Sequence, residues 1–87
     1  EVLMSVEPGY YKHFKGRIYQ VIGVGKHSET TEELVVYKGL YDGPHGYGAI
    51  WIRPVPMFLE TIERDGKTMR RFAPISDAEA IAELDKV

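Results

Sequence analysis

Between Arg17 and Ile75 the chain alternates short runs of β-branched and aromatic residues with runs that are polar or rich in glycine. Arg17 to Val24 (Arg-Ile-Tyr-Gln-Val-Ile-Gly-Val) reads as a first strand, and Gly25 ends it. A polar loop, Lys26 to Glu32, leads to a second strand over Glu33 to Leu40. The segment Asp42-Gly43-Pro44-His45-Gly46-Tyr47-Gly48 breaks regular structure. A third strand spans Ala49 to Arg53 and stops at Pro54 and Pro56, neither of which has an N–H to give a ladder. Leu59 to Arg64 and Lys67 to Ile75 flank Asp65-Gly66, the pair that a type I′ turn requires because both central residues take positive φ.

The two ends read differently. Residues 1–8 have no clear period and form a lead-in, with Val2, Leu3, Met4 and Val6 able to pad a core edge, and Gly9 opens the domain. At the other end Ser76 and Glu79 have the spacing of a capping box. Asp77 sits where a helix dipole favours an acid. A terminal helix over Ala78 to Lys86 follows, with Ile81 and Leu84 its expected buried side.

Five short strands without βαβ alternation predict a mainly β fold, best matched by a small five-stranded SH3-like barrel with a short C-terminal helix; an OB-type barrel is the structural alternative. Eighty-seven residues give one domain, a barrel core over 9–75 with the helix over 76–87. A chain this long buries roughly 60–65% of its unfolded surface, so it folds with little margin.

Composition narrows the function classes. The apolar share of 44% and charged share of 28% are those of a globular chain. A net charge of −2 gives no global attraction to phosphate backbones or anionic membranes. No apolar run approaches the ~20 residues of a membrane helix, and no signal peptide is visible, so a cytoplasmic location is the default expectation. The absence of Cys excludes disulfides and thiolate zinc sites. His13, His27 and His45 lack the spacing of a metal site, and no cofactor is expected.

The candidate chemistry concentrates in two segments. His27-Ser28-Glu29-Thr30 offers an imidazole, hydroxyls and a carboxylate. Neighbours in an extended loop point apart, however, so local capping of backbone N–H groups is favoured over a catalytic triad. In the third strand, alternation puts Ile50 and Ile52 on one face and Trp51 with Arg53 on the other. With the isoleucines in the core, Trp51 and Arg53 would stand on the outer face or at a barrel mouth, where an indole beside a guanidinium can stack on a ring or a cation. The alternative is that Trp51 packs under a terminal segment. Ten aromatic rings, six of them Tyr, mostly build the core and leave a few to line a pocket. Lys12, Lys15 and Arg17 with Tyr10, Tyr11 and Phe14 have the composition of a nucleic-acid platform. Gly23 and Gly25 match no phosphate-loop spacing.

Tyr11-Lys12-His13-Phe14-Lys15-Gly16, Tyr19-Gln20-Val21, His27-Ser28-Glu29-Thr30, Leu34-Val35-Val36-Tyr37, Leu40-Tyr41, Trp51-Ile52-Arg53-Pro54, Met57-Phe58 and Arg71-Phe72 together resemble the small bacterial proteins grouped as domain of unknown function 1653. The resemblance implies an SH3-type barrel and brings no activity with it. The combined expectation is a non-catalytic binding module. Its site would join His27, Ser28, Glu29 and Thr30 to Tyr37, Tyr41, Trp51 and Arg53, and take a proline-rich or basic peptide or a small ligand. The alternatives are nucleotide or single-stranded RNA binding by stacking, an enzyme using His27 and Glu29, and a homodimer formed through exposed rings.

Overall fold

In a computed structural model the described residues are 6–85. Seven strands and two short helices follow in the order β1 (Gly9–His13), β2 (Ile18–Lys26), β3 (Glu33–Gly39), β4 (Ile50–Pro54), α1 (Val55–Phe58), β5 (Thr61–Arg64), β6 (Lys67–Arg70), β7 (Phe72–Ile75) and α2 (Asp77–Leu84). Five strands form one antiparallel sheet ordered β4-β3-β2-β1-β7, and β5 pairs with β6 apart from it.

The sheet is open. Its edges are β4 and β7, and no ladder joins them, so the described residues do not close the expected SH3-like barrel. Part of the discrepancy lies in the hairpin. Asp65 and Gly66 do take positive φ, 53° and 76°, as their turn demands. The returning strand, however, breaks at Arg71. Lys67 to Arg70 stays with the hairpin, whereas Phe72 to Ile75 crosses to β1, pairing His13 with Phe72 and Tyr10 with Ile75. The segment Gly9–His13, outside the five expected strands, supplies the pairing edge that makes this possible.

One sheet face holds the core. The register sets Tyr11 opposite Tyr19, Val21 opposite Tyr37, Tyr37 opposite Trp51, and Val35 opposite Arg53. Directly opposed residues share a face, so these side chains form one inner layer. Pro54 and Pro56 end β4 and open α1, where Val55 and Phe58 turn back onto that layer. Phe58 stacks on Phe72 with centroids 4.3 Å apart and planes 6° apart, and neither ring reaches solvent. Val6 joins this core, while Val2, Leu3 and Met4 lie outside the described residues.

Helix α2 starts as its sequence dictates, with Glu79 N–H donating to Ser76 Oγ at 3.1 Å. It packs against β1 and β2, and Lys12 bridges to Glu83 at 3.4 Å. Its contact side differs from the expected one. Ala80 is fully buried, Leu84 half-buried, and Ile81 60% exposed. A close helix–sheet approach selects the small residue for the seam and turns the large one outward. The expected helix residue Lys86 lies outside the described residues.

Replacing Phe58 by Ala removes the ring that α1 exists to place. It should cost about 3–5 kcal/mol and unfold much of so small a domain at 37 °C. A urea melt followed by circular dichroism measures this. A loss under 1 kcal/mol would mean the inner layer closes without Phe58.

Candidate functional site

The two segments expected to share a site are apart. His27 to Thr30 form the exposed tip of the β2–β3 hairpin. His27 N–H donates to the Glu32 carbonyl at 2.8 Å, and Glu32 is three strand residues, about 10 Å, beyond Val35, the residue opposite Arg53. Tyr37, opposite Trp51, is two residues further away. The imidazole serves the turn itself, since its Nδ1 accepts from Glu29 N–H at 3.1 Å and from Thr30 N–H at 3.4 Å. Thr30 Oγ1 accepts from Glu32 N–H at 3.2 Å. The loop therefore has the local capping chemistry expected of it.

Tyr37, Tyr41, Trp51 and Arg53 lie on or beside the inner face. Here the expected orientation of β4 is reversed. Ile50 and Ile52 are 54% and 63% exposed, and Trp51 and Arg53 turn inward. Alternation fixes which residues share a face but not which face is covered. The larger ring of Trp51, opposite buried Tyr37, decides it. His45 stands edge-on to the indole at 5.2 Å, and Trp51 Nε1 is buried without an acceptor among the described residues. Arg53 Nε donates to Tyr37 Oη at 3.3 Å, and its guanidinium covers the Phe72 ring at 5.7 Å.

Sequence reasoning did not place Tyr19 in the site, although Tyr19 joins its parts. Its ring meets Tyr37, Tyr41 and Phe72 edge-on at 5.4–5.5 Å, and its hydroxyl is 2.9 Å from that of Tyr41. Burial pushes the Tyr19 phenol well above its ordinary value, and the hydrogen bond with Tyr41 pushes it further. Tyr41 in turn is clamped by glycine. A Cβ on Gly39 would stand 2.8 Å from Tyr41 Cε1, and one on Gly43 3.0 Å from Cε2.

Beyond Tyr41 lies a cavity of about 740 Å³. It sits where the β1–β2 turn, the chain leaving β3, the loop before β4 and the last turn of α2 meet. Ile18, Leu40 and Leu84 give it an apolar lining, with Lys15 and Arg17 on one wall and Asp42 and Glu83 also facing it. The Arg17 guanidinium lies 4.2 Å from the centre of the Tyr41 ring, and Tyr47 stands 64% exposed beside the opening. Lys15 and Arg17 belong to the basic-aromatic cluster legible in the sequence. Lys12 from that cluster is occupied by Glu83. Among the described residues no three His, Asp or Glu side chains converge in a way that would hold a metal, and no helix is long and apolar enough to cross a membrane.

Residues 9–74 match the family described as a protein of unknown function, DUF1653. The chain belongs to this family. A crystal structure of a DUF1653 protein from Bordetella bronchiseptica is 31% identical, with a TM-score of 0.74 over 86% of this chain and 94% of that one. No curated protein matches. The span matched in this DUF1653 chain contains most of the cavity wall, from Lys15 to Tyr47, but ends before Glu83 and Leu84 of α2.

His13 gives the inner face a pH dependence. Burial holds its imidazole below the ordinary value of 6.5, and the positive charges of Arg71, Lys15 and Arg53 add to the effect. A folded value below the unfolded one means that acid protonates the unfolded chain first. Stability is therefore full above pH 6.5 and falls as pH drops below it. Protonation also removes the Nδ1 lone pair that accepts from Lys15 N–H at 3.2 Å. Thermal melts from pH 8 to 5 should show this decline, and His13→Gln should flatten it. An unchanged profile in the variant would assign the decline to other groups.

Proposed function

We propose that this DUF1653 chain is a non-catalytic binding module that takes a small ligand into the cavity beside Tyr41 and Arg17. The observation that carries the reading is the cavity itself. Its volume of about 740 Å³, its apolar lining and its few convergent polar groups match the usual form of a small-molecule site. Tyr41 connects it to Tyr37 and Arg53 through Tyr19, so one ring layer supports both the cavity wall and the inner face.

The catalytic alternative finds less support. His27 is engaged in its own turn. The basic-peptide alternative relied on the acidic loop lying next to Trp51, and the two are separated along the sheet. A basic ligand would also meet Lys15 and Arg17 at the cavity.

A fragment library screened by two-dimensional amide NMR tests the reading. Binders should shift the amides of Gly16, Arg17, Leu40 and Tyr47 and leave those of Ser28 to Thr30 in place. Shifts gathered at the hairpin tip, or no binder for the cavity in a diverse library, would overturn it.

A further inference from the structure

We propose that the cavity takes a mononucleotide, a flat base with N–H donors joined to a phosphate; this rests on the cavity being a ligand site. The first support is the Arg17–Tyr41 pair. A guanidinium lying 4.2 Å over a phenol ring is held by its face, which leaves its N–H edge free to meet an anion. Tyr41 is itself fixed by Gly39, Gly43 and the Tyr19 hydroxyl, so the pair is built before any ligand arrives.

The second support is where the charges fall. The β1–β2 turn closes through Gly16 N–H donating to the His13 carbonyl at 2.7 Å, with Gly16 at φ 105°. That turn brings Lys15 and Arg17 to the same cavity, and neither forms an ion pair among the described residues. The Arg17 guanidinium so placed suits a phosphate, which it can bind through two parallel hydrogen bonds, while the Lys15 ammonium on the same turn lies 5.8 Å from the centre of the Phe14 ring. Asp42 also lines the cavity, and a carboxylate there is an acceptor for the N–H groups of a base. Glu83 already faces Lys12.

The third support is the body of the cavity. Ile18, Leu40, Leu84 and Tyr47 also line it, so a flat, weakly polar ring finds apolar contact. Other ligand classes leave part of this lining unused. Free phosphate would engage the cations and ignore the apolar surface and Asp42. A fatty carboxylate would set an alkyl chain against Asp42. A polyanion such as RNA meets a chain of net charge −2.

Calorimetric titration of the full chain with the four common nucleoside 5′-monophosphates, adenosine, ribose 5-phosphate and a short single-stranded RNA tests the proposal. AMP should bind, with or without the other three. Adenosine and ribose 5-phosphate should each bind about tenfold or more weakly than AMP, as should AMP to Arg17→Gln, because each loses one charged or stacked contact. Asp42→Asn should weaken AMP while leaving ribose 5-phosphate unchanged. His27→Ala, at the far hairpin tip, should leave AMP binding as it was, and matching unfolding midpoints should show that all variants are folded. Equal affinity for AMP and ribose 5-phosphate would reduce the site to an anion site and overturn the proposal. RNA binding about a hundredfold tighter than any monophosphate would replace it with a strand-binding surface. If no monophosphate binds by about 10 mM while fragments still shift the cavity amides, the nucleotide class is wrong and the cavity reading stands. If the fragments fail as well, both fall.

Discussion

The stack of Phe58 on Phe72 is the contact on which the rest of the molecule depends. A five-stranded sheet whose two edges no ladder joins among the described residues must bury one face, and this chain has no disulfide to help it. The cover is a single helical turn, far too short to persist alone in water. It persists because Pro54 ends β4 and Val55 and Phe58 fall directly onto the sheet. The chain is then held again at the far side of the β5–β6 hairpin. Arg71 N–H donates to the Glu60 carbonyl, and the Arg71 guanidinium pairs with the Glu60 carboxylate at 2.9 Å. An exposed pair of this kind adds little energy. Its position matters more, because it sets where β7 leaves the hairpin and hence where Phe72 lands under Phe58.

From that stack a continuous layer of rings runs across the inner face. Phe72 touches Tyr37 and Tyr19, Tyr37 accepts from Arg53, and Tyr19 shares a hydrogen bond with Tyr41. Edge-to-face contacts at 5.4–5.5 Å add directional preference to what burial alone would supply. The layer can therefore carry constraint from the core to the cavity wall. The missing side chain at Gly39 is part of this arrangement. Tyr19 lies opposite Gly39 in the ladder, and the space where a Cβ would stand is taken by the Tyr41 ring.

Features set by neighbouring residues were legible in the sequence. The Asp65-Gly66 turn, the Ser76 cap and the strands beginning near Ile18, Glu33 and Ile50 each rest on a few adjacent side chains. Features set by competition between distant segments were not. The pattern through Lys67 to Ile75 reads as one strand, because nothing local says that Gly9–His13 will offer a better edge to its second half. The β4 alternation pairs Trp51 with Arg53 correctly but carries no sign, so the covered face had to come from the partner strand. In α2 the apolar spacing pointed to Ile81, whereas close approach to the sheet favoured Ala80. The site divides in the same way. His27 capping its own turn is a local property, while the cavity gathers residues 15–18, 40–42, 47 and 83–84, which no single motif spans.

The charge of the chain and the charge at the cavity differ, and the difference governs how a ligand would be captured. A net charge of −2 provides no long-range attraction for an anion, and beyond about 8–10 Å salt screens what field there is. Lys15 and Arg17 therefore act only at contact, once the ligand is already beside the wall. Binding under those conditions relies on parts that need little reordering, since each long side chain immobilised on binding costs about 0.5–1.5 kcal/mol. Arg17 is already laid against a ring that two glycines and a phenol keep in place. The rigidity of the inner layer thus reaches the one wall where a flexible arginine would otherwise oppose binding most. The core stack and the cavity are in that sense a single construction, which begins at Phe58 and ends at Arg17.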